Sequence, residues 1–314
     1  MMTMMMMNMM MMNMMMTMMT MMMTMMMMTM MMMTMMMMNM MMVGYTVRLE
    51  MAMVAGSAMY SLAGTRSDTD YVGVFTMPSE AYLGLEKASS VMDSIANVPG
   101  HGSEAEEDHA LHEIGKFARM LAKGNFQAVE QLYSSVEGKT PVVASPAWAA
   151  LADRRSEFVT AEFVTMYLLY VRTQLRRHGK RAAERSEPKK WYNIFRALYV
   201  IGAVVDGRPP PIALDASHPD DSRAIDRLLA IKRGEIDQVL LFMEAKDRHA
   251  TLVAADLSHL PQSCDREWLN SWILAVRRGD YLDPDVPELF VIEPSTAADP
   301  YADLTAADEP SNAE

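Results

Sequence analysis

"GSAMYSLAGTRSDTDYVGVF", residues Gly56 to Phe75, decides how the chain is read. Ten residues separate the Gly56-Ser57 pair from Asp68, and a single residue separates Asp68 from Asp70. Ahead of the pair, "YTVRLEMAMV" (45–54) is apolar and β-compatible, and it breaks at Ala55-Gly56-Ser57 into a short helical segment. That is a strand, a tight turn and a helix start. "DYVGVFTM" (70–77) then reads as a second short strand, ended by Pro78. Carboxylates at i and i+2 of a strand share a face, so Asp68 and Asp70 can be aimed at one hard cation. Mg²⁺ takes oxygen ligands in octahedral array and keeps some water, which suits two aspartates plus phosphate oxygens. A Gly-Ser turn at a helix start offers backbone N–H groups and a hydroxyl to a phosphate. A side chain at Gly56 would block its close approach. Metal ligands beside a phosphate cradle describe a nucleoside triphosphate site.

Working outward, "SSVMDSI" (89–95) is a candidate third strand, and "VPGHGSEAEED" (98–108) is loop-like. From about Asp108 to Tyr133, Leu111, Ile114, Phe117, Met120 and Leu121 recur at helical spacing, broken at Gly124-Asn125 before a second helix. Beyond Pro141 the pattern predicts helices alone, at roughly 146–153, 156–177, 188–205, 221–232, 235–247 and 265–278. After about Pro284 periodicity is lost, and the end reads as a disordered acidic tail. The first 42 residues hold 33 methionines and otherwise only Thr and Asn, a low-complexity extension such as a DNA tandem repeat encodes. It lacks the basic flank of a membrane span and the charged start of a secretory signal. The expected organisation is an extension over 1–42, a catalytic α/β domain over 43–140, a helical domain over 141–283 and a tail over 284–314.

A net charge of −12, from 28 basic and 40 acidic residues, excludes a surface built throughout to embrace nucleic acid, while leaving room for a local basic groove. The single cysteine, Cys264, excludes an intrachain disulfide framework and a Cys-rich zinc site, and reads as a small buried hydrophobe. A reducing, cytoplasmic setting and no membrane partner are the expectation.

The Gly56-Ser57, ten residues, Asp68-x-Asp70 spacing followed by a β-run resembles the signature of the DNA polymerase beta-type nucleotidyltransferase superfamily. "SDTDYVGVF", "YLGLE" and "D…HEIGKFARMLAKGNFQAVEQLY" are similar to the RlaP-like group of predicted nucleotidyltransferases, as are "KKWYNIFRALYVIGAVVDGRPP" and "LLAIKRGEID" further on. The resemblance covers roughly residues 50 to 247. It implies an α+β fold, a small nucleotidyltransferase α/β module with a mixed sheet followed by an all-helical C-terminal module. It implies that Gly56 and Ser57 hold the triphosphate and that Asp68, Asp70 and Asp108 hold Mg²⁺ (or Mn²⁺), with Glu107 as the fallback third carboxylate. Lys116, Lys189, Arg196 and Lys232 are its candidate nucleotide-binding cations. The implied reaction transfers a nucleoside monophosphate from an NTP, ATP among them, to a hydroxyl or phosphate acceptor on RNA, a protein or a small molecule, and releases pyrophosphate. Two positions depart from the group's "GSRAYGL": Ala58 stands where it has a basic residue, and Ser61 where it has glycine. Asn193 replaces the His of its Lys-x-x-x-His-x-x-Arg pattern, while Lys189 and Arg196 keep the cations.

Other features have plainer readings. Residues 171–190 carry eight Arg or Lys in twenty, which suits an RNA or acidic contact and a charged linker equally. Lys190 and Arg233 read as solvated helix face, and His109 and His112, three apart, as a helical surface rather than zinc ligands. Trp148, Trp191, Tyr192, Trp268 and Trp272 read as core. Three rival functions stay open: nucleotidylation of a partner protein, as by antitoxins of the superfamily; a nucleotide-binding regulator without turnover; and, from the Met tract alone, a membrane-anchored or copper-handling protein.

Overall fold

A computed structural model describes residue 23 and residues 44–62, 70–83, 91–92, 109–135, 143–179 and 188–292. In chain order the elements are β1 (Gly44–Val54), α1 (Gly56–Met59), β2 (Tyr71–Thr76), α2 (Ser79–Leu83), β3 (Val91–Met92), β4 (His109–Glu113), α3 (Ile114–Ala122), α4 (Phe126–Ser134) and β5 (Val143–Ala144). There follow α5 (Pro146–Asp153), a 3-10 turn (Arg155–Phe158), α6 (Ala161–Gly179), α7 (Pro188–Val205), α8 (Pro219–Lys232), α9 (Gln238–Val253), α10 (Arg266–Arg278) and β6 (Glu288–Ile292). The chain divides into two compact units, Met1–Tyr45 with Phe290–Glu314, and Thr46–Leu289. Of the first, residue 23, Gly44, Tyr45 and residues 290–292 are described. The second carries the helices and the candidate site.

The sheet is mixed, in the order β3-β4-β2-β1-β5. β1 runs antiparallel to β2, from Arg48 opposite Thr76 to Val54 opposite Tyr71, and antiparallel to β5 on its other side. β2 and β4 are parallel, from Tyr71 opposite His109 to Phe75 opposite Glu113, a pairing that requires a long crossover between them. β1 has a bulge between Leu49 and Met51, and its extra residue is Glu50. The carboxylate of Glu50 is 1 % exposed and accepts from Arg48 at 2.7 Å, Thr76 at 2.8 Å and Ser145 at 2.5 Å, so burial is matched by donors.

The expected helix from Asp108 is corrected: residues 109–113 are the strand β4, and the helix begins at Ile114. "HALHE" has no β-branched residue, so its conformation comes from pairing with β2 on one side and β3 on the other. Glu113 then caps α3, its carboxylate accepting from the N–H groups of Gly115 at 2.7 Å and Lys116 at 3.3 Å. His109 and His112 therefore lie on a strand and not on a helix. Burial first, and then the Lys116 charge, lowers the His112 pKa from 6.5 to about 4. The unfolded chain takes up this proton before the folded one does. Stability contributed by neutral His112 is present above pH 6.5 and is lost progressively as pH falls to about 4. His112→Gln is expected to flatten the dependence of the urea midpoint on pH across that window.

The break at Gly124-Asn125 stands as read. Gly124 has φ +65°, and a Cβ there would lie 2.7 Å from the Phe163 backbone nitrogen, so only glycine lets the start of α6 approach. Asn125 caps α4 through its side-chain oxygen, 3.2 Å from the Ala128 N–H. The helices expected beyond Pro141 are present, with the second divided into the 3-10 turn and α6. Two strands were not expected there: β5, and β6 at the start of the stretch read as aperiodic. Trp148, Trp191, Phe117, Phe163 and Tyr167 fill the core, Trp272 and Cys264 are buried, and Trp268 is half-buried. Among the described residues, no helix is long and apolar enough to cross a membrane.

Candidate active site

The antiparallel pairing of Val54 with Tyr71 brings the residues after β1 against the residue before β2. The Ala55 N–H donates to the Asp70 carbonyl at 2.7 Å, and Gly56 follows with φ +64°. A Cβ on Gly56 would lie 2.7 Å from Asp70 Oδ2. The glycine turn and the second aspartate of the Asp-x-Asp pair are thus in direct contact. Both the backbone conformation and the space require glycine. Ser57 is the second residue of α1, a single turn closed by the Leu62 N–H donating to the Ser57 carbonyl at 2.9 Å. Asp68, Asp108 and Glu107 lie outside the described residues. Among the described residues, no three His, Cys, Asp or Glu side chains gather as a metal site.

Ser61 explains one departure from the group's pattern. Its φ is +59°, the left-handed conformation that glycine adopts without cost. The backbone that the group's glycine serves is therefore kept here by a serine under strain. Ser61→Gly is expected to raise stability by about 0.5–1 kcal/mol, the strain relieved exceeding the extra chain entropy of glycine, as read from chemical denaturation.

Cations arrive from the helical half. Lys232, in the last turn of α8, donates from Nζ to the Leu62 carbonyl at 3.1 Å and lies 5.6 Å from the centre of the Tyr192 ring. Pro188, which opens α7, lies against Gly234, just past the end of α8. Lys189 is the next residue of α7 and is exposed, so it belongs to the same end of the bundle as Lys232. Arg233 pairs with Glu235 at 2.5 Å on an exposed face.

Arg196 is placed differently from Lys189 and Lys232. It is 8 % exposed, and its Nη1 donates to Glu130 Oε1 at 2.5 Å. Its guanidinium also stacks 3.7 Å above the Tyr60 ring. The other carboxylate oxygen of Glu130 accepts from the Tyr60 hydroxyl at 2.7 Å, and the first also accepts from Tyr167 at 2.5 Å. Burial, opposed by Arg196 and reinforced by Glu130, pushes the Tyr60 and Tyr167 phenols well above the ordinary tyrosine range, so both stay neutral donors. Burial is the largest single effect and works against the Arg196 charge, but Glu130 together with Tyr167, Tyr60 and Tyr192 outweighs it, so the guanidinium stays charged. Its charge is spent within this cluster. Tyr60 is the residue directly after α1, so the cluster fixes the underside of the Gly56-Ser57 turn to α4, α6 and α7.

Lys116 is not brought to this place. It sits in the first turn of α3, beyond Glu113, which is opposite Phe75 at the far end of the parallel pair from Asp70. Sequence reasoning missed Tyr60, Glu130 and Tyr167. The signal available was Glu130 itself, a carboxylate inside "QAVEQLY", where every position from Ala128 to Ser134 is buried.

Comparisons with known proteins bear on the family of the chain. The family model described as "RlaP: RNA repair pathway DNA polymerase beta family" matches residues 30–267. An uncharacterized 38.9 kDa protein from the nrdC-mobD intergenic region of Enterobacteria phage T4 is 26 % identical over 124 residues, 40 % of this chain. The match spans 37 % of that relative's length. A nucleotidyltransferase-like protein from Exiguobacterium sibiricum 255-15 is similar in structure, with a TM-score of 0.32 and 10 % identity over 79 % of this chain and 94 % of its own. With the family model spanning most of the chain, from before β1 to the start of α10, this protein belongs to the RlaP family of polymerase beta-type nucleotidyltransferases.

Proposed function

We propose that the chain transfers a nucleoside monophosphate from an NTP to a hydroxyl of an RNA acceptor, releasing pyrophosphate. The observation that carries this reading is the contact between Gly56 and Asp70, a glycine turn laid directly against a carboxylate. The donor set fits a hard divalent cation: Asp68, Asp70 and Asp108 would hold Mg²⁺ or Mn²⁺, which when bound neutralises charge developing on the phosphates. Asp108 directly precedes His109, whose partner Tyr71 directly follows Asp70, which is what supports it as the third carboxylate. In this reading Asp108 takes the proton from the attacking hydroxyl. The N–H groups and hydroxyl of Gly56-Ser57 seat the triphosphate, and Lys232 and Lys189 supply positive charge in place of the basic residue that Ala58 lacks. Arg196 acts through Glu130 and Tyr60 by holding the turn. The RNA acceptor is supported by the family's description as an RNA repair pathway group. The α/β part over 43–140 would carry the chemistry, and the helices over 141–283 would close over nucleotide and acceptor, in the cytoplasm.

The test incubates the full chain with each α-labelled NTP, Mg²⁺ or Mn²⁺, total RNA and cell protein. Label on RNA with matching pyrophosphate release is the expected result. Label on protein would replace the acceptor with a partner protein, and NTP binding without pyrophosphate would leave a regulator.

A further inference from the structure

At the other end of the parallel strands lies a cavity of about 460 Å³, bounded by α2, the start of α3 and α10. β2 separates it from the Gly56 turn by its whole length, about 17 Å for six residues. In a chain of net charge −12, three guanidiniums line it, those of Arg119, Arg277 and Arg278, together with Tyr82 and Asn270. Two of them converge. A Cβ on Gly115 would lie 3.1 Å from Arg277 Nη2 and 3.5 Å from Arg119 Nη1.

Their charge is only partly matched: Arg278 pairs with Asp280 at 3.0 Å on an exposed face, and the other two are matched less fully. Arg277 donates from Nη2 to Glu113 Oε1 at 2.6 Å, while the other oxygen of Glu113 already accepts from the Gly115 and Lys116 N–H groups. Nη1 of Arg277 is buried without a hydrogen-bond partner among the described residues, in a side chain only 14 % exposed. A buried donor left unpaired is costly unless something accepts from it. Arg119 meets no carboxylate among the described residues, and its one hydrogen bond there is a long one to the Tyr82 hydroxyl, 3.5 Å. The Arg277 guanidinium carbon lies 3.9 Å from the centre of the Tyr82 ring, a cation–π contact at the edge of the cavity. Leu83, Ile273 and Leu274 make the remaining wall apolar.

We infer that this cavity is a second ligand site, separate from the nucleotidyl-transfer site, and that it takes a phosphomonoester with a flat or apolar body. Several guanidiniums facing one space suit a dianionic phosphate, which each can bind through two N–H groups. The apolar wall suits a ring or chain attached to it, and the volume is that of a nucleotide-sized pocket.

AMP is the probe, by equilibrium dialysis against the full chain in EDTA, with inorganic phosphate and adenosine as comparison ligands. AMP is expected to bind saturably, more tightly than either comparison ligand. Arg119→Gln/Arg278→Gln, two exposed positions outside the core, is expected to weaken it at least tenfold with the unfolding midpoint unchanged. Asp70→Asn is expected to leave it unaltered, so that failure here is distinguishable from failure of the catalytic reading. Loss in Asp70→Asn with retention in the arginine variant would place AMP at the Gly56 turn and overturn the proposal. Equal binding of adenosine, or no saturable binding of AMP, would overturn it too.

Discussion

Asp70→Asn is expected to lower nucleotidyl transfer by about a thousandfold: in the role proposed for it Asp70 holds the metal, and loss of such a carboxylate removes several kcal/mol of charge stabilisation, each 1.36 kcal/mol being tenfold in rate. The substitution keeps the size of the side chain, and Asp70's structural tie, the Ala55 N–H to its carbonyl at 2.7 Å, comes from the backbone. The unfolding midpoint should therefore stay near that of the unaltered chain. Rate by pyrophosphate release and stability by urea titration check the two halves separately. A fall in rate accompanied by an equal loss of folded protein would remove Asp70 from the chemistry.

Arg196→Met is expected to act in the opposite sense, on stability first. Removing one member of a buried ion pair leaves the other charge without compensation, which costs about 3–5 kcal/mol. Here the stranded group is Glu130, 1 % exposed and holding two phenols besides Arg196. Glu130→Gln/Arg196→Met should recover at least half of the loss, because the amide still accepts from Tyr60 or Tyr167 and no charge stays buried. The urea midpoint decides it. If Arg196→Met folded normally and only raised the KM for NTP, the side chain would be a phosphate ligand after all.

The glycine turn that lies against Asp70 was legible because it depends on local geometry, a turn that admits only glycine between two short strands. Helices at 146–153 and 188–205 were legible for the same reason, their apolar period being intrinsic to the segment. β4 was not, since nothing in "HALHE" prefers a strand until two neighbours flank it. β5 is two residues long, shorter than any period that could announce it. Arg196 shows a different limit. Spacing on a helix gave its position, but which way a cation is used depends on the groups met across the bundle, and Glu130 lies 66 positions earlier.

The Leu49 N–H donates to the Pro287 carbonyl at 3.0 Å. The central strand that begins at Gly44 thus waits for a partner far along the chain, while its neighbour β2 takes the parallel strand β4 only through a crossover. Contacts so far apart in sequence make folding slow, because loop closure is met before the contact rewards it. On the ribosome, β1 emerges early and lacks this partner until Pro287 has been made. Translation truncated before Pro287 yields a β1 still lacking that partner.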